Sequence, residues 1–88
     1  MSSPGLTGKQ ISSIILTSFE DLRWYDREQT ISIVERSGLL TSDDSRVIGS
    51  GEIQFHRRTS NALRDLCKQG KLEKNEVRKS YWQYRKSI

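Results

Sequence analysis

The sequence has very little of the chemistry that forms disulfides, zinc sites or membrane spans. It contains one cysteine, Cys67, and one histidine, His56, so neither an internal disulfide nor a Cys/His zinc site is expected. No run of 18 apolar residues occurs, and the opening stretch MSSPGLTG lacks the basic and apolar regions of a signal peptide. These absences predict an intracellular protein, cytoplasmic or nucleoid-associated (nuclear in a eukaryote), that uses no metal, cofactor or membrane.

Motifs of the common enzyme classes are also missing. The chain has no Walker-type phosphate loop, no nucleophile elbow and no HExxH helix. The adjacent acids Asp43 and Asp44 have no third carboxylate or histidine near them in the sequence, so they indicate a solvated loop and not metal ligands. With so few groups for acid–base chemistry, we expect no enzymatic activity and no small-molecule substrate.

The chain is long enough for one small domain. Of its 88 residues 33% are hydrophobic, which allows a core of about 15 to 20 side chains. Residues 1–6 are expected to form a flexible lead, and residues 7–88 a single domain.

Positive charge is concentrated in the second half of the chain. Residues 1–45 carry four bases and seven acids, whereas residues 46–88 carry eleven bases and four acids. Such an excess is typical of proteins that bind polyanions, because neutralising phosphates releases counterions. A solvated basic surface is the simpler alternative.

Capping motifs and apolar periodicity predict three helices. The sequences TGKQ from Thr7 and DREQ from Asp26 both match the capping box, and they predict helices over residues 8–22 and about 27–37. Apolar residues return at helical spacing from about residue 52 until Gly70. They predict a third helix, which is the longest and most basic of the three.

The connections between these helices carry weaker signals. Trp24 and Tyr25 are expected in a tight corner, where the indole covers one end of the core. Leu39 and Leu40 are expected to return to the core before a long polar loop over residues 41–51.

After the third helix the pattern shortens to two strands. Residues 71–74 and 79–85 are predicted as strands and residues 75–78 as the turn between them. The tip of this hairpin is expected to carry the bases Lys74, Arg78 and Lys79.

The aromatic residues of the second strand have two alternative uses. Tyr81, Trp82 and Tyr84 can stack on unpaired bases or close the small core. Strand alternation sends Trp82 and Tyr84 to the face opposite Tyr81, so at least one face is expected to pack on the core.

Three helices followed by a basic hairpin resemble the winged helix-turn-helix family of DNA-binding domains. The resemblance covers about residues 7–85 and is carried by the stretch RTSNALRDLCKQGKLE over residues 58–73, closed by Tyr81 and Trp82. It implies an α+β fold, a three-helix winged helix-turn-helix with a C-terminal β-hairpin wing. The third helix is then the recognition helix.

The function that this resemblance implies is binding of double-stranded DNA, by a transcriptional regulator or the DNA-recognition subunit of a larger assembly. In the major groove an arginine can bond guanine in two places, and asparagine or glutamine can do so with adenine. The residues predicted to contact DNA are Gln54, Arg57, Arg58, Ser60, Asn61, Arg64 and Lys68 on the helix and Lys74, Arg78 and Lys79 on the wing. Base reading is expected mainly from Arg57, Arg58 and Asn61.

A second class of function remains open at this point. Winged-helix domains also act as protein–protein interaction adaptors that bind no nucleic acid, and fold alone does not distinguish the two uses. A homodimer or a partner protein is compatible with the acidic first half and basic second half.

Overall fold

The described residues form three α-helices and a three-stranded antiparallel sheet, so the predicted α+β class is confirmed. The computed structural model describes residues 5–40, 42–49 and 51–87. In chain order the elements are α1 (Gly8–Ser18), β1 (Tyr25–Asp26), α2 (Arg27–Arg36), a 3₁₀ turn (Ser42–Ser45), α3 (Gln54–Lys68), β2 (Leu72–Arg78) and β3 (Tyr81–Lys86).

The starts of α1 and α2 are fixed by the two predicted capping boxes. The Thr7 hydroxyl accepts from the Gln10 N–H at 3.2 Å, and the Gln10 side chain accepts from the Thr7 N–H at 2.8 Å. Asp26 and Gln29 repeat this exchange at 2.7 and 3.0 Å. Each box satisfies amides that have no partner within the helix, and both predicted starts are confirmed.

Helix α1 ends at Ser18, four residues before the predicted end. Phe19 leaves the helix with an extended backbone, and its ring stacks on Tyr25 with the two ring centres 4.1 Å apart. The Tyr25 hydroxyl also accepts from the Glu20 N–H at 3.0 Å. This aromatic contact favours an end of α1 at Ser18, because Phe19 must leave the helix to reach Tyr25. The apolar spacing of the helix does not indicate this contact.

Strand β1 replaces the expected corner between α1 and α2. Tyr25 lies opposite Tyr84 of β3 and is buried, whereas Trp24 is only half-buried beneath the Arg85 guanidinium, 4.5 Å from the ring centre. The prediction that the indole covers the core is therefore wrong. A strand of two residues is too short to show alternation in the sequence.

Residues Gly5 and Leu6 are packed into the fold against the loop that precedes α3. The Leu6 N–H donates to the Asp44 carboxylate at 2.8 Å, and the Leu6 carbonyl oxygen accepts from Arg58 at 2.7 Å. Asp44 is fully buried, so the expectation of a solvated loop is wrong for this residue. The remainder of the predicted flexible lead, residues 1–4, lies outside the described residues.

The core lies between the helices and the base of the sheet. Leu40 packs against it as predicted, but Leu39 is 59% exposed. Burying each large apolar side chain contributes about 1.5–3 kcal/mol. The buried core residues are Leu6, Ile11, Ile14, Ile15, Phe19, Tyr25, Ile31, Val34, Phe55, Ala62, Leu63, Leu66 and Leu72.

The hairpin is longer than predicted and turns later. Strand β2 continues to Arg78, and the chain reverses at Lys79 and Ser80 instead of over residues 75–78. A β-bulge between Glu76 and Arg78 shifts the register near the turn. The extra residue changes which face of the sheet receives the last side chain of β2.

Candidate nucleic-acid interface

The exposed face of α3 carries a narrow row of polar and basic side chains. Arg57, Asn61, Arg64 and Lys68 follow one another at intervals of four, three and four residues, which places them on one side of the helix, and all four are exposed. We call this row the α3 stripe. Within the described part of the chain, no hydrogen bond or ion pair holds the side chains of Asn61, Arg64 or Lys68.

The opposite face of α3 fixes the orientation of the stripe. Phe55, Thr59, Ala62, Leu63 and Leu66 are buried, so the helix has no freedom to rotate without exposing them. The buried Thr59 hydroxyl donates a hydrogen bond to the Phe55 carbonyl oxygen at 2.6 Å, so this polar group has a partner within the helix. The stripe therefore stands on a rigid element.

Arg57, at the start of the stripe, has one acidic neighbour. Its guanidinium lies 3.4 Å from the Glu52 carboxylate, and the two side chains are 54% and 40% exposed. Exposed pairs of this kind contribute little to stability and are screened by salt. Arg57 is therefore available to exchange Glu52 for another anion.

Three predicted contact residues are instead engaged within the fold. Gln54 is 5% exposed, and its side-chain oxygen accepts from Arg46 at 3.2 Å. Arg58 is half-buried on the carbonyl oxygen of Leu6. Ser60 accepts from Arg27 at 2.6 Å. The expectation that they belong to the exposed face is wrong, because segments distant in sequence cover the flanks of α3.

Arg27 was missed by the sequence reasoning and joins α2 to α3. Its Nε donates to the Ser60 hydroxyl at 2.6 Å, and its guanidinium also lies 3.2 Å from Glu52 and 3.4 Å from Glu28. A base in the first helical position carries no sequence signal for such a role, since its partners are 25 and 33 residues away.

Lys74 lies on the face of the hairpin that adjoins α3. It is opposite Tyr84 and shares a face with buried Leu72, and its ammonium lies 5.2 Å from the centre of the Trp82 ring. Burial raises the pKa of the Cys67 thiol, and the nearby Lys74 charge opposes that rise. Lys74 therefore stands beside the last turns of α3.

Tyr84 lies within electrostatic range of Arg64 in the stripe. Burial raises the pKa of the Tyr84 phenol, whereas the positive charges of Arg64 and Arg27 lower it. Arg64 of the helix and Lys74, the strand partner of Tyr84, thus both lie near this half-buried residue.

The other two hairpin bases predicted to contact DNA, Arg78 and Lys79, do not join Lys74 in a cluster. The bulge pairs Arg78 with Tyr81 and sends it to the outer face of the sheet, where its guanidinium lies 5.0 Å from the Tyr81 ring centre. Lys79 is exposed in the turn. The predicted cluster of Lys74, Arg78 and Lys79 at the tip is therefore wrong, because the turn and the bulge separate them.

The two acidic residues of the hairpin lie on opposite faces of it. Glu73 accepts two hydrogen bonds from Arg85, at 2.6 and 2.9 Å, on the outer face. Glu76 lies opposite Trp82 on the same face as Lys74, and Asp65 borders the stripe on α3. The positive side chains Arg57, Arg64, Lys68 and Lys74 thus outnumber the acids next to them.

Comparison of the chain with protein-family models, curated proteins and solved structures finds no match. In the residues that the structure describes, no three His, Cys, Asp or Glu side chains group to hold a metal ion. Over the same residues, no helix has the length and apolarity needed to cross a membrane.

Proposed function

We propose that the protein binds double-stranded DNA, with the α3 stripe in the major groove and the hairpin on the phosphate backbone. Its role is that of a transcriptional regulator or the DNA-recognition subunit of an assembly, without catalytic activity. The order of three helices followed by a hairpin supports the resemblance to winged helix-turn-helix domains, which are built in this way.

The observation that carries the proposal is the spacing and exposure of the α3 stripe. The major groove is about 12 Å wide and admits one α-helix. Arg57 and Arg64 are suited to paired hydrogen bonds with guanine, and Asn61 between them to paired bonds with adenine. Residues at intervals of four, three and four project from one side of the helix, as reading consecutive base pairs requires.

Phosphate contacts are assigned to the last residue of the stripe and to two bases of the hairpin. Lys68 lies in the last turn of α3, Lys74 lies on the adjoining face of the hairpin, and Lys79 lies in its turn. Such contacts position the protein on the duplex without selecting a sequence. Gln54, Arg58 and Ser60 are left out of the interface because they are engaged within the fold, and Arg78 because it lies on the outer face.

The proposal is tested by measuring affinity for a mixed pool of duplex DNA over a series of salt concentrations. We expect binding that weakens steeply from about 50 to about 200 mM salt. The double substitution Arg57→Ala/Arg64→Ala is expected to weaken binding by at least about tenfold and to lower the slope of log affinity against log salt by about 1 to 2.

The matched control is Arg23→Ala/Arg36→Ala, which removes the same charge. Both side chains line a surface cleft formed by residues 18–37, and α3 contributes nothing to its lining. We expect at most about a twofold change. Equal losses in the two double variants would make the binding a net-charge effect, and absence of binding at low salt would favour the protein–protein adaptor.

A further inference from the structure

A small aromatic cleft lies beside the proposed DNA-binding face. It occupies about 220 Å³ between the first turn of α2 and the start of β3. Strand β1 ends at Asp26, opposite Gln83, so within the described residues the edge of β3 at Tyr81 and Trp82 has no strand beside it. We call this space the β3-edge cleft. Its lining includes Asp26, Glu28, Ser80, Tyr81, Trp82 and Tyr84.

The cleft has the size and lining of a site for one flat ring. Pockets for drug-sized ligands occupy roughly 300–1,000 Å³, so this one is smaller. Trp82 is the most exposed aromatic side chain that borders it, with 37% of its surface accessible. An accessible indole offers a stacking surface to any nucleobase, because every base has a π-face.

The charged residues around the cleft decide between an organic cation and a nucleobase as its ligand. Asp26 and Glu28 alone would suit an organic cation. However, Lys74 lies 5.2 Å from the Trp82 ring centre, Arg78 lies 5.0 Å from that of Tyr81, and Arg27 lies in the lining. Glu76 lies opposite Trp82 and Arg27 is paired with Glu28, so acids and bases balance around the cleft as a whole. Lys74, however, already places a cation over the indole ring, which disfavours a second cation there and attracts a phosphate next to a stacked nucleobase.

We infer that the β3-edge cleft binds a nucleobase that has left the base stack, stacked on Trp82, while Lys74 holds a neighbouring phosphate. This inference rests on the proposed function and extends it from paired duplex to DNA with an unpaired base. The Glu28 carboxylate, which is exposed, is placed to accept a hydrogen bond from an exocyclic amino group of the base.

The experiment compares four ligands built on one duplex sequence. They are the fully paired duplex, the duplex with a single adenine bulge, the same bulge with an abasic nucleotide, and the duplex with a one-adenine 3′ overhang. The abasic bulge has the same backbone and distortion as the adenine bulge but lacks the base. Comparison of the overhang with the adenine bulge shows whether the unpaired base is taken from the end of a duplex or from an internal position.

Trp24→Phe is the reference protein, because it leaves Trp82 as its one indole. We expect this protein to bind the adenine bulge or the overhang at least about fivefold more tightly than the abasic bulge. We also expect the unpaired adenine to quench Trp82 fluorescence, whereas the paired duplex does not. Trp24→Phe/Trp82→Leu is expected to lose the preference while binding the paired duplex within about twofold.

Equal affinity for the adenine and abasic bulges, with no quenching, overturns the inference while salt-sensitive binding of the paired duplex still upholds the proposed function. Absence of binding to all four ligands overturns both. If Trp82→Leu unfolds the protein, the quenching measured on Trp24→Phe alone gives the answer.

Discussion

Arg58 donates a hydrogen bond to the backbone carbonyl oxygen of Leu6 at 2.7 Å, across 52 residues of sequence. The N–H of the same Leu6 donates to the buried carboxylate of Asp44. Both backbone polar groups of a buried residue are thereby satisfied by side chains, one from α3 and one from the loop before it. An arginine whose position in the sequence suggests DNA contact thus holds the N-terminal segment on the helix.

Replacement of Arg58 is predicted to lower stability, with any change in DNA affinity following from it. Arg58→Met retains the aliphatic stem but removes the hydrogen bond to Leu6, so the free energy of unfolding falls by about 1–3 kcal/mol. Arg64→Met on the exposed stripe is the matched control, expected to stay within about 0.5 kcal/mol. Urea unfolding of the two variants measures both values, and similar losses would contradict the structural role of Arg58.

Two glycines provide a paired test of how closely the N-terminal segment is packed. Gly5 and Gly38 both have positive φ, +77° and +74°, but a Cβ on Gly5 would lie 2.7 Å from the Asp44 carboxylate oxygen, whereas Gly38 faces open space. Alanine at either position costs about 1–2 kcal/mol for the left-handed backbone. Gly5→Ala is predicted to lose about 1–3 kcal/mol more, because buried Asp44 has little room to move. Thermal unfolding measures the difference, and equal losses would show that the segment readily shifts.

The parts of the molecule that the sequence predicts correctly are those that depend on neighbouring residues in the chain. Capping boxes at Thr7 and Asp26 and the apolar spacing of α3 are local, and the helices begin accordingly. The α3 stripe follows from the same periodicity. Gln54 and Arg58 lie on the flanks of the helix, where their exposure depends on Arg46 and Leu6. No local pattern encodes those distant neighbours.

The position of the turn in the hairpin is also not predictable from local sequence. The existence of the hairpin follows from the short alternating segments after Gly70, but the turn at Lys79 and Ser80 depends on a bulge at residue 77 that local sequence does not indicate. Moving the turn by a few residues reassigns Arg78 to the outer face. A predicted cluster of bases is thus more sensitive to register than the predicted fold is.

The hydrogen bond from Arg27 to Ser60 is predicted to stabilise the packing of α2 on α3. Arg27→Ala loses this bond and the contact with Glu52, so the free energy of unfolding falls by about 1–2 kcal/mol. Ser60→Ala alone is expected to lose less. A double-mutant cycle with both changes should give a coupling energy of about 0.5–1.5 kcal/mol. Strictly additive losses would mean that the 2.6 Å contact contributes nothing of its own.

A hydrogen bond between Tyr81 and Asp26 connects β3 to the start of α2. Because the bond needs a protonated phenol, we predict that its contribution to the stability of the fold is lost at alkaline pH. The phenol donates to the Asp26 carboxylate at 2.7 Å, and this hydrogen bond, aided by desolvation and the carboxylate charge, raises the pKa of Tyr81 above 10.0. The contribution is complete below the pKa of the unfolded chain and is lost as pH rises through the higher pKa of the folded state. The free energy of unfolding is therefore predicted to be higher for the wild type than for Tyr81→Phe at about pH 8, and this difference is predicted to shrink towards about pH 11. Denaturant unfolding at a series of pH values measures it. Asp26→Asn retains a capping acceptor without the charge and should flatten that loss, whereas parallel curves for wild type and Tyr81→Phe would rule out the coupling.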